Sequence, residues 1–361
     1  MFVSAGGDLR AGGGIGSTAQ ARRVALTLAV GAAGGLAAER VGFPAGALLG
    51  ATLPVSALAL SGRAMEIPAW LRNLAFAGIG CSLGAGFTPD FLSNVGRWPL
   101  SLAMLCAGML AILACCAWIL VRFFGLTPRA AVLSTSPGAL SYTIALAVGG
   151  GIDTRPVMVL QSLRLLAITL TLPPALLLIG QPGAFWGGLP PPILGWSVAV
   201  ALIAVAFVLG RFGESRRLPV AFLLAGMILS GGLHAGGAVE GILPGPLVFC
   251  SFVVTGCVIG SRFTSLAPSD LRGLAAAAVT VTAVAIGLSA LFAVMASKLF
   301  GIGFAGAWIA YAPGGVEGMA AMAIALGYDP AFVATHHLVR IVFLIMVLPF
   351  VLRVATRIRS D

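Results

Sequence analysis

The stretch Ser136-Pro137-Gly138 returns 176 positions later as Ala312-Pro313-Gly314. The chain holds 49 glycines and is 59% hydrophobic, so chance matches between small apolar residues are common and the rarer residue types provide the evidence for a repeat. The pairs that recur at this offset are Pro68 with Pro244, Gly80-Cys81 with Gly256-Cys257, Asp153 with Asp329, and Arg164 with Arg340. The sequence therefore predicts a tandem duplication, with a first repeat over 22–182 and a second over 190–357.

The composition indicates a polytopic membrane protein. Only 9% of the residues are charged and the mean hydropathy is +1.07, which would leave a soluble domain with almost no charge at its surface. Residues 1–21 are rich in Gly, Ser and Ala and are predicted to be disordered. Apolar runs of about 20 residues, the length needed to cross the hydrocarbon core, lie near 23–38, 43–60, 67–87, 98–121, 156–180, 192–210, 218–236, 243–261, 273–297 and 331–352.

Two further apolar segments, 130–151 and 304–327, contain the Pro-Gly motifs. If both crossed the membrane, each repeat would have six crossings and the repeats would run parallel. If both are re-entrant, each repeat has five crossings and the second is inverted. With a cytoplasmic N-terminus, the re-entrant arrangement places 16 basic residues inside and 3 outside, against 11 and 8 for twelve crossings. Because basic residues are concentrated on the cytoplasmic side, inversion is favoured.

The predicted fold is an all-α polytopic membrane protein with two inverted repeats of about five transmembrane helices. Each repeat has a re-entrant or broken Pro-Gly helical segment. Proline interrupts helical hydrogen bonding, and lipid cannot satisfy the freed backbone groups, so both breaks are expected to line a cavity or pack inside protein. Secondary transporters of this architecture bind their solute near the midplane, between two such segments.

Arg164 and Arg340 are predicted to lie close to mid-membrane, about eight and ten residues into their spans. A guanidinium group at that depth needs a carboxylate, backbone carbonyls or water. Two interpretations stay open and are compatible. Each arginine could tie its helix to carbonyls of the neighbouring Pro-Gly segment, or bind an anionic ligand.

Glu317 is the one acidic residue deep in an apolar segment, and Ser141 holds the equivalent position in the first repeat. A lone buried carboxylate suggests a proton or cation site, and the alternative is an internal ion pair with Arg340. His336 and His337 lie on the predicted helix of Arg340, and His337 matches Gln161. A hydrogen-bonding or proton-relay role is predicted for the two histidines, against the alternative of satisfied core histidines.

The predicted functional residues fall into two sets. The hydroxyl groups among them could instead bond the preceding helical turn. Asp153 and Asp329 are explained as helix N-caps, the six cysteines as core residues, and neither a metal nor a cofactor is expected. The predicted ion-coupling set is Glu317, His336 and His337. The predicted substrate-binding set is Ser136, Pro137, Gly138, Ser141, Tyr142, Thr143, Gln161, Arg164, Pro313, Gly314, Gly315 and Arg340.

The paired Ser-Pro-Gly and Ala-Pro-Gly-Gly-Val-Glu-Gly motifs, each followed by an aspartate and a mid-span arginine, resemble the AbrB family of bacterial membrane proteins over 25–357. The resemblance implies the duplication and the membrane fold. Members are often labelled ammonia monooxygenase or regulator of gene expression. Copper or iron oxygenation needs several converging histidine or carboxylate ligands, which three histidines do not supply, so no enzyme is expected. Outside the spans there is no DNA-binding module, so no nucleic acid is expected as a partner.

These observations predict a secondary transporter of a small anionic organic solute, coupled to protons or sodium. The expected location is the bacterial cytoplasmic membrane, with both termini in the cytoplasm. The expected partners are the lipid bilayer and the solute, and a homo-oligomer is left open. The alternative is a membrane-embedded sensor or regulator that affects gene expression indirectly, through a partner protein or a signal metabolite. A channel would be the third alternative.

Overall fold

The computed structural model describes residues 15–87, 98–137, 140–179, 192–216, 218–266 and 268–357. These residues form fourteen α-helices, a 3-10 helix over Arg262–Ser265 and no strand. The first half contains α1 (Ile15–Arg40), α2 (Gly46–Leu60), α3 (Ala69–Gly84), α4 (Trp98–Phe124), α5 (Pro128–Thr135), α6 (Leu140–Gly149) and α7 (Thr154–Leu178). The second half contains α8 (Trp196–Ser215), α9 (Ala221–Ala235), α10 (Gly245–Ser261), α11 (Pro268–Phe300), α12 (Phe304–Tyr311), α13 (Val316–Ala325) and α14 (Pro330–Arg357).

Each helix of the first half has its counterpart seven helices later, as the duplication in the sequence predicts. All ten predicted spans are helices, and each Pro-Gly segment is a pair of short helices separated by a break, α5 with α6 and α12 with α13. The breaks share their geometry. Ser136 and Ala312, which end α5 and α12, both have an extended backbone with φ near −60°.

Two local features of the helices add detail to the sequence-based expectations. The segment predicted to be disordered, 1–21, lies in part outside the described residues, but α1 begins at Ile15, so residues 15–21 are helical. Ala19, Gln20 and Ala21 favour a helix, and the Gln20 amide donates a hydrogen bond to the Glu66 carboxylate at 2.7 Å. The helices α2, α3 and α9 have only 15 or 16 residues and are therefore about 22 to 24 Å long, shorter than the ~30 Å hydrocarbon core.

Six of the described helices are long and apolar enough to cross a membrane: α4, α7, α8, α10 with its 3-10 extension, α11 and α14. Their outer faces carry large exposed apolar side chains, such as Trp118 at 60% exposure and Val208 at 66%. Such a surface is stable against lipid and not against water. The chain is therefore a membrane protein.

The two halves are inverted. The counterparts α4 and α11 pack against each other, with Gly108 beside the Phe292 ring and the Cys116 thiol directed to the Val281 carbonyl at 3.5 Å. Residue numbers thus rise along α4 as they fall along α11. Because α4 and α11 are equivalent helices of the two halves and run antiparallel, the two halves have opposite orientations.

The inter-helix contacts repeat across the two halves. A Cβ atom on Gly80 of α3 would lie 2.2 Å from the Leu223 carbonyl oxygen of α9. On Gly256 of α10, the copy of Gly80, it would lie 2.5 Å from the Leu48 oxygen of α2. The helix pairs α3–α9 and α10–α2 are therefore the same packing arrangement formed twice, and each needs glycine for the close approach.

The described helices divide into two groups that each draw on both halves. The first contains α1 to α3 with α8 to α10, and the second contains α4 to α7 with α11 to α14. The second group has its own core, in which Leu105, Leu133 and Leu160 of the first half pack with Ile309 and Met319 of the second. The broken helices belong to this second group and face the first group across a cavity.

Candidate functional site

A cavity of about 700 Å³ lies between the two groups of helices. Its volume is in the range of small-molecule sites. The polar and backbone groups that line it come from the ends of α3 and α8, the 3-10 helix, α6, α7 and the break between α12 and α13. These residues are Arg72, Asn73, Tyr142, Gln161, Arg164, Glu214, Ser261, Arg262, Pro313, Gly314, Gly315 and Glu317.

Both broken segments reach this cavity with the start of their second helix. Leu140 and Tyr142 at the start of α6 line it, as do Pro313, Gly315 and Glu317 around the start of α13. The first backbone N–H groups of a helix have no partner within it and carry about half a positive charge. The two restarting helices therefore make the cavity favourable for an anion.

Arg164 and Arg340 bind the carbonyls of the chain breaks. Arg164 donates from Nη1 to the Thr135 oxygen at 2.8 Å and from Nη2 to the Ser136 oxygen at 3.2 Å. Arg340 donates from Nη1 to the Ala312 oxygen and from Nη2 to the Gly314 oxygen, both at 2.7 Å. The contacts match the structural interpretation of each arginine.

The two arginines differ in their access to the cavity. Arg164 lines it, and its buried Nε has no hydrogen-bond partner among the described residues. Arg340 is fully buried and lies behind the break. A ligand-binding role for Arg164 is thus compatible with its position, whereas Arg340 supports the wall from behind.

Glu317 is half-buried and lines the cavity. Within the described ranges, its carboxylate makes no hydrogen bond and no ion pair, so the ion pair with Arg340 considered from the sequence is not formed. It lies within electrostatic range of Arg262 and Arg340. The carboxylate is therefore free to meet a proton, a cation or a solute in the cavity.

Arg72, Asn73 and Arg262 belong to the cavity and were not among the predicted site residues. Arg72 donates from Nε and Nη2 to the Asn73 Oδ1, both at 3.1 Å, and Arg72 and Arg262 interact electrostatically. The sequence placed both arginines at the ends of spans, where they were counted only as markers of orientation. The signal that could have found Arg72 is its position several residues inside the predicted span 67–87.

His336 is a core histidine held on both sides. Its Nδ1 donates to the Phe332 carbonyl at 2.8 Å, so in the neutral ring Nε2 accepts from the Ser101 hydroxyl at 2.8 Å. The Tyr311 hydroxyl in turn contacts the Ser101 hydroxyl at 2.9 Å and its carbonyl at 2.8 Å. This network joins α4, α12 and α14 and lies outside the cavity lining.

His337 occupies in the second half the place that Gln161 has in the first. Gln161 donates to the Leu133 carbonyl at 2.8 Å and to the Thr143 hydroxyl at 2.9 Å. His337 is fully buried and faces the backbone of Ile309, the copy of Leu133. Gln161 lines the cavity and His337 does not, so the structure brings only the first-half member of this pair to the site.

The remaining predicted residues are distributed around the first break. Tyr142 lines the cavity and donates to the Ile345 carbonyl at 3.2 Å. Thr143 donates to the Leu140 carbonyl at 2.9 Å, the bond to the preceding turn that the sequence allowed. Ser136 and Pro137 are buried and do not line the cavity. Gly138 and the Ser141 side chain lie outside the described part of the chain.

The two aspartates that precede α7 and α14 cap those helices, as the sequence predicts. Asp153 accepts from the Arg155 N–H at 3.0 Å, and Asp329 accepts from the Ala331 and Phe332 N–H groups at 2.9 and 3.1 Å. The Arg155 N–H lowers the pKa of the exposed Asp153 carboxyl, whereas burial raises that of Asp329. No group of three His, Cys, Asp or Glu side chains in the described ranges is close enough to hold a metal ion.

Comparison with known proteins places the duplication in a family. The sequence model of the family described as "Transition state regulatory protein AbrB" matches twice, over 2–180 and over 180–356. "Putative regulator AbrB" of Escherichia coli (strain K12) is 26% identical over 327 residues, covering 87% of this chain and 90% of that protein. "Uncharacterized protein YhjN" of Bacillus subtilis (strain 168) is 26% identical over 356 residues, covering 89% and 90% respectively. No solved structure matches the chain.

Proposed function

The chain belongs to the AbrB family, and we propose that it is a secondary transporter of a small organic anion, coupled to protons or sodium, in the bacterial cytoplasmic membrane. The proposal involves no enzymatic step, no cofactor and no nucleic acid. Its partners are the lipid bilayer and the solute, and a homo-oligomer is compatible with it.

The observation that supports this proposal most directly is the cavity between the two helix groups. It meets both broken helices, whose N-termini favour anions, and it contains three arginines and the unpaired Glu317. Inverted repeats with a solute site beside discontinuous helices are the architecture of secondary transporters. A purely structural protein has no need of an unpaired carboxylate in a polar cavity inside the membrane.

The exposed residues of the cavity lining, Glu214, Leu218 and Pro219, lie where α8 ends and α9 begins, and we infer that the cavity opens at this end of the molecule. Arg211 and Arg216 lie at this end, which the distribution of basic residues assigns to the cytoplasm. We therefore expect the structure to represent a state open to the cytoplasm, with both termini on that same side.

Flux measurements in proteoliposomes test the proposal. The purified full-length protein is reconstituted, and uptake of a panel of small organic acids is measured with and without proton and sodium gradients. Glu317→Gln is expected to abolish gradient-driven accumulation, because it removes the coupling group. Arg340→Ala is expected to lower flux of every solute, because it releases the break. The exposed Glu240→Gln serves as control.

Unaltered flux in both Glu317→Gln and Arg340→Ala would show that the site is assigned wrongly. Saturable binding of an organic acid without net flux would instead favour a sensor or regulator, the function that the printed name of the Escherichia coli relative suggests. Flux that is neither coupled nor saturable would favour a channel.

A further inference from the structure

The charges in the cavity are arranged in two places. Arg72 and Arg262 lie within electrostatic range of each other on the first helix group. Arg164 lines the cavity from the second helix group, at the break that follows α5. A small molecule with an anionic group at each end could meet both places at once, which a monocarboxylate could not.

Glu317 is an acidic group of the cavity that acts on the first of these places. It interacts electrostatically with Arg262 and lines the same cavity, without a contact of 4.0 Å or less to any described cationic group. The Arg262 guanidinium has no hydrogen-bond partner in the described ranges either. The carboxylate therefore offsets the charge of Arg262 without fixing its position, and a solute carboxylate would compete for the same charge.

The other charged and titratable groups near Glu317 do not prevent a solute carboxylate from competing with Glu317 for the charge of Arg262. Glu214 is exposed at the cavity mouth and ion-paired with Arg211 at 3.2 Å, and the histidines of α14 lie behind the break. The charged and titratable groups that line the cavity with Glu317 are Arg72, Tyr142, Arg164, Glu214 and Arg262. The helices packed against α13, which are α2, α3, α7, α10, α12 and α14, also carry Cys81, Arg155, Cys250, Cys257, Tyr311, His336, His337, Arg340, Arg353 and Arg357.

The described contacts favour a proton over sodium as the ion that Glu317 exchanges. Transporters with broken helices commonly coordinate sodium through carbonyls freed at the break. Here Arg340 occupies the Ala312 and Gly314 carbonyls, and Arg164 occupies those of Thr135 and Ser136. A guanidinium group at each set of carbonyls opposes a second cation there.

We infer that the cavity binds a small organic dianion, such as a dicarboxylate. The ionised Glu317 carboxylate competes with this dianion for the arginine charge, and protonation of Glu317 ends the competition. Ionised, it offsets the charge of Arg262 and Arg72 in the empty cavity. Protonated, it leaves these two guanidinium groups to one carboxylate of the solute, while the other carboxylate meets Arg164. The inference rests on the proposed transport function and specifies its substrate class and its coupling ion.

Equilibrium binding of radiolabelled succinate to the full-length protein in lipid nanodiscs tests this, from about pH 6.5 to about pH 8.5, where both succinate carboxylates are ionised. One linked proton weakens binding by at most about tenfold per pH unit as pH rises. Wild type is expected to show this dependence without a sodium requirement. Glu317→Gln is expected to bind succinate tightly at every pH, and the matched change Glu240→Gln, on an exposed carboxylate of the same half, is expected to behave as wild type.

Two further arms test the arginines and the need for two charges. Arg262→Gln is expected to weaken succinate binding at least about tenfold, since it removes one charge-assisted contact. Acetate is expected to compete poorly, and the uncharged succinamide not at all. Folding of each variant is checked by its elution as a monodisperse species.

The inference is overturned if wild type binds no succinate, if binding needs sodium, or if Glu317→Gln keeps the pH dependence of wild type. These results differ from a failure of the proposed function. Coupled flux of a monocarboxylate would support the proposed transport function but contradict the inferred substrate class. Proton-linked succinate binding without any flux would support the role of Glu317 in binding and would contradict the proposed transport function.

Discussion

Arg164 and Arg340 hold the two chain breaks by the same pair of contacts. Each arginine donates two hydrogen bonds to backbone carbonyls at a break, which accept no helical hydrogen bond. Each Nε is buried and has no hydrogen-bond partner in the described ranges. A guanidinium group is planar and reaches two carbonyls at once, whereas an ammonium group is a point charge on a flexible stem. Arginine is therefore the residue that this position requires.

Arg340→Lys is expected to lower the free energy of unfolding by about 2 kcal/mol, the size of a lost hydrogen bond to a charged group. Arg272→Lys, at an exposed position on α11, is expected to leave it unchanged. Denaturant titration in detergent measures both. Equal stability of Arg340→Lys and wild type would mean that the arginine does not stabilise the break.

At the scale of helices, stability depends on glycines that allow two backbones to touch. Gly80 and Gly256 occupy equivalent positions in α3 and α10, and a Cβ on either would lie within 2.5 Å of a carbonyl oxygen of the neighbouring helix. The packing also fixes the starts of α2 and α9. Ala45 and Val220, at equivalent N-caps, both have the left-handed backbone that non-glycine residues seldom adopt, with φ of 53° and 46°.

Gly80→Ala and Gly256→Ala are each expected to destabilise the protein by about 1 to 3 kcal/mol, because the added methyl group separates the helices. Gly232→Ala is the matched control on α9. Nothing lies within 4 Å of its Cβ position, and alanine favours a helix over glycine by up to about 1 kcal/mol, so this change is expected to be neutral or stabilising. Thermal unfolding of the three variants in detergent distinguishes the signs. Equal effects at all three positions would contradict the account.

Local features were predictable from the sequence and long-range pairings were not. Apolar length located the ten helices, and proline with glycine located both breaks, because each is a property of a few neighbouring residues. Arg72 and Arg262 meet only because the inverted copies α3 and α10 cross, which no local pattern encodes. The partner of His336 is Ser101, 235 residues away, so its place in the core could not be distinguished from a proton relay.

At the scale of the whole molecule, the two ends differ although the halves share a fold. The cavity is open at one end. At the other, Gly86 packs against Pro330 and Gly231 against Phe87. The sequence copies of Arg72, Asn73 and Arg262 are Val248, Phe249 and Gly86, so the charged wall exists on one side only. The proposed transport function therefore implies a solute site that faces the open end in this state and reaches the other end by a rearrangement of the inverted halves.

The most direct test of this account is the thiol reactivity of two equivalent positions, measured from each side of the membrane in a cysteine-free background. Val258 lines the cavity, and its copy Ser82 is buried on the closed side. The account predicts that Val258→Cys reacts with a membrane-impermeant reagent from the cytoplasmic side only. It also predicts that Ser82→Cys becomes reactive from the opposite side during solute turnover. Reaction of both positions from the same side, or a Ser82→Cys that stays unreactive while flux proceeds, would contradict it.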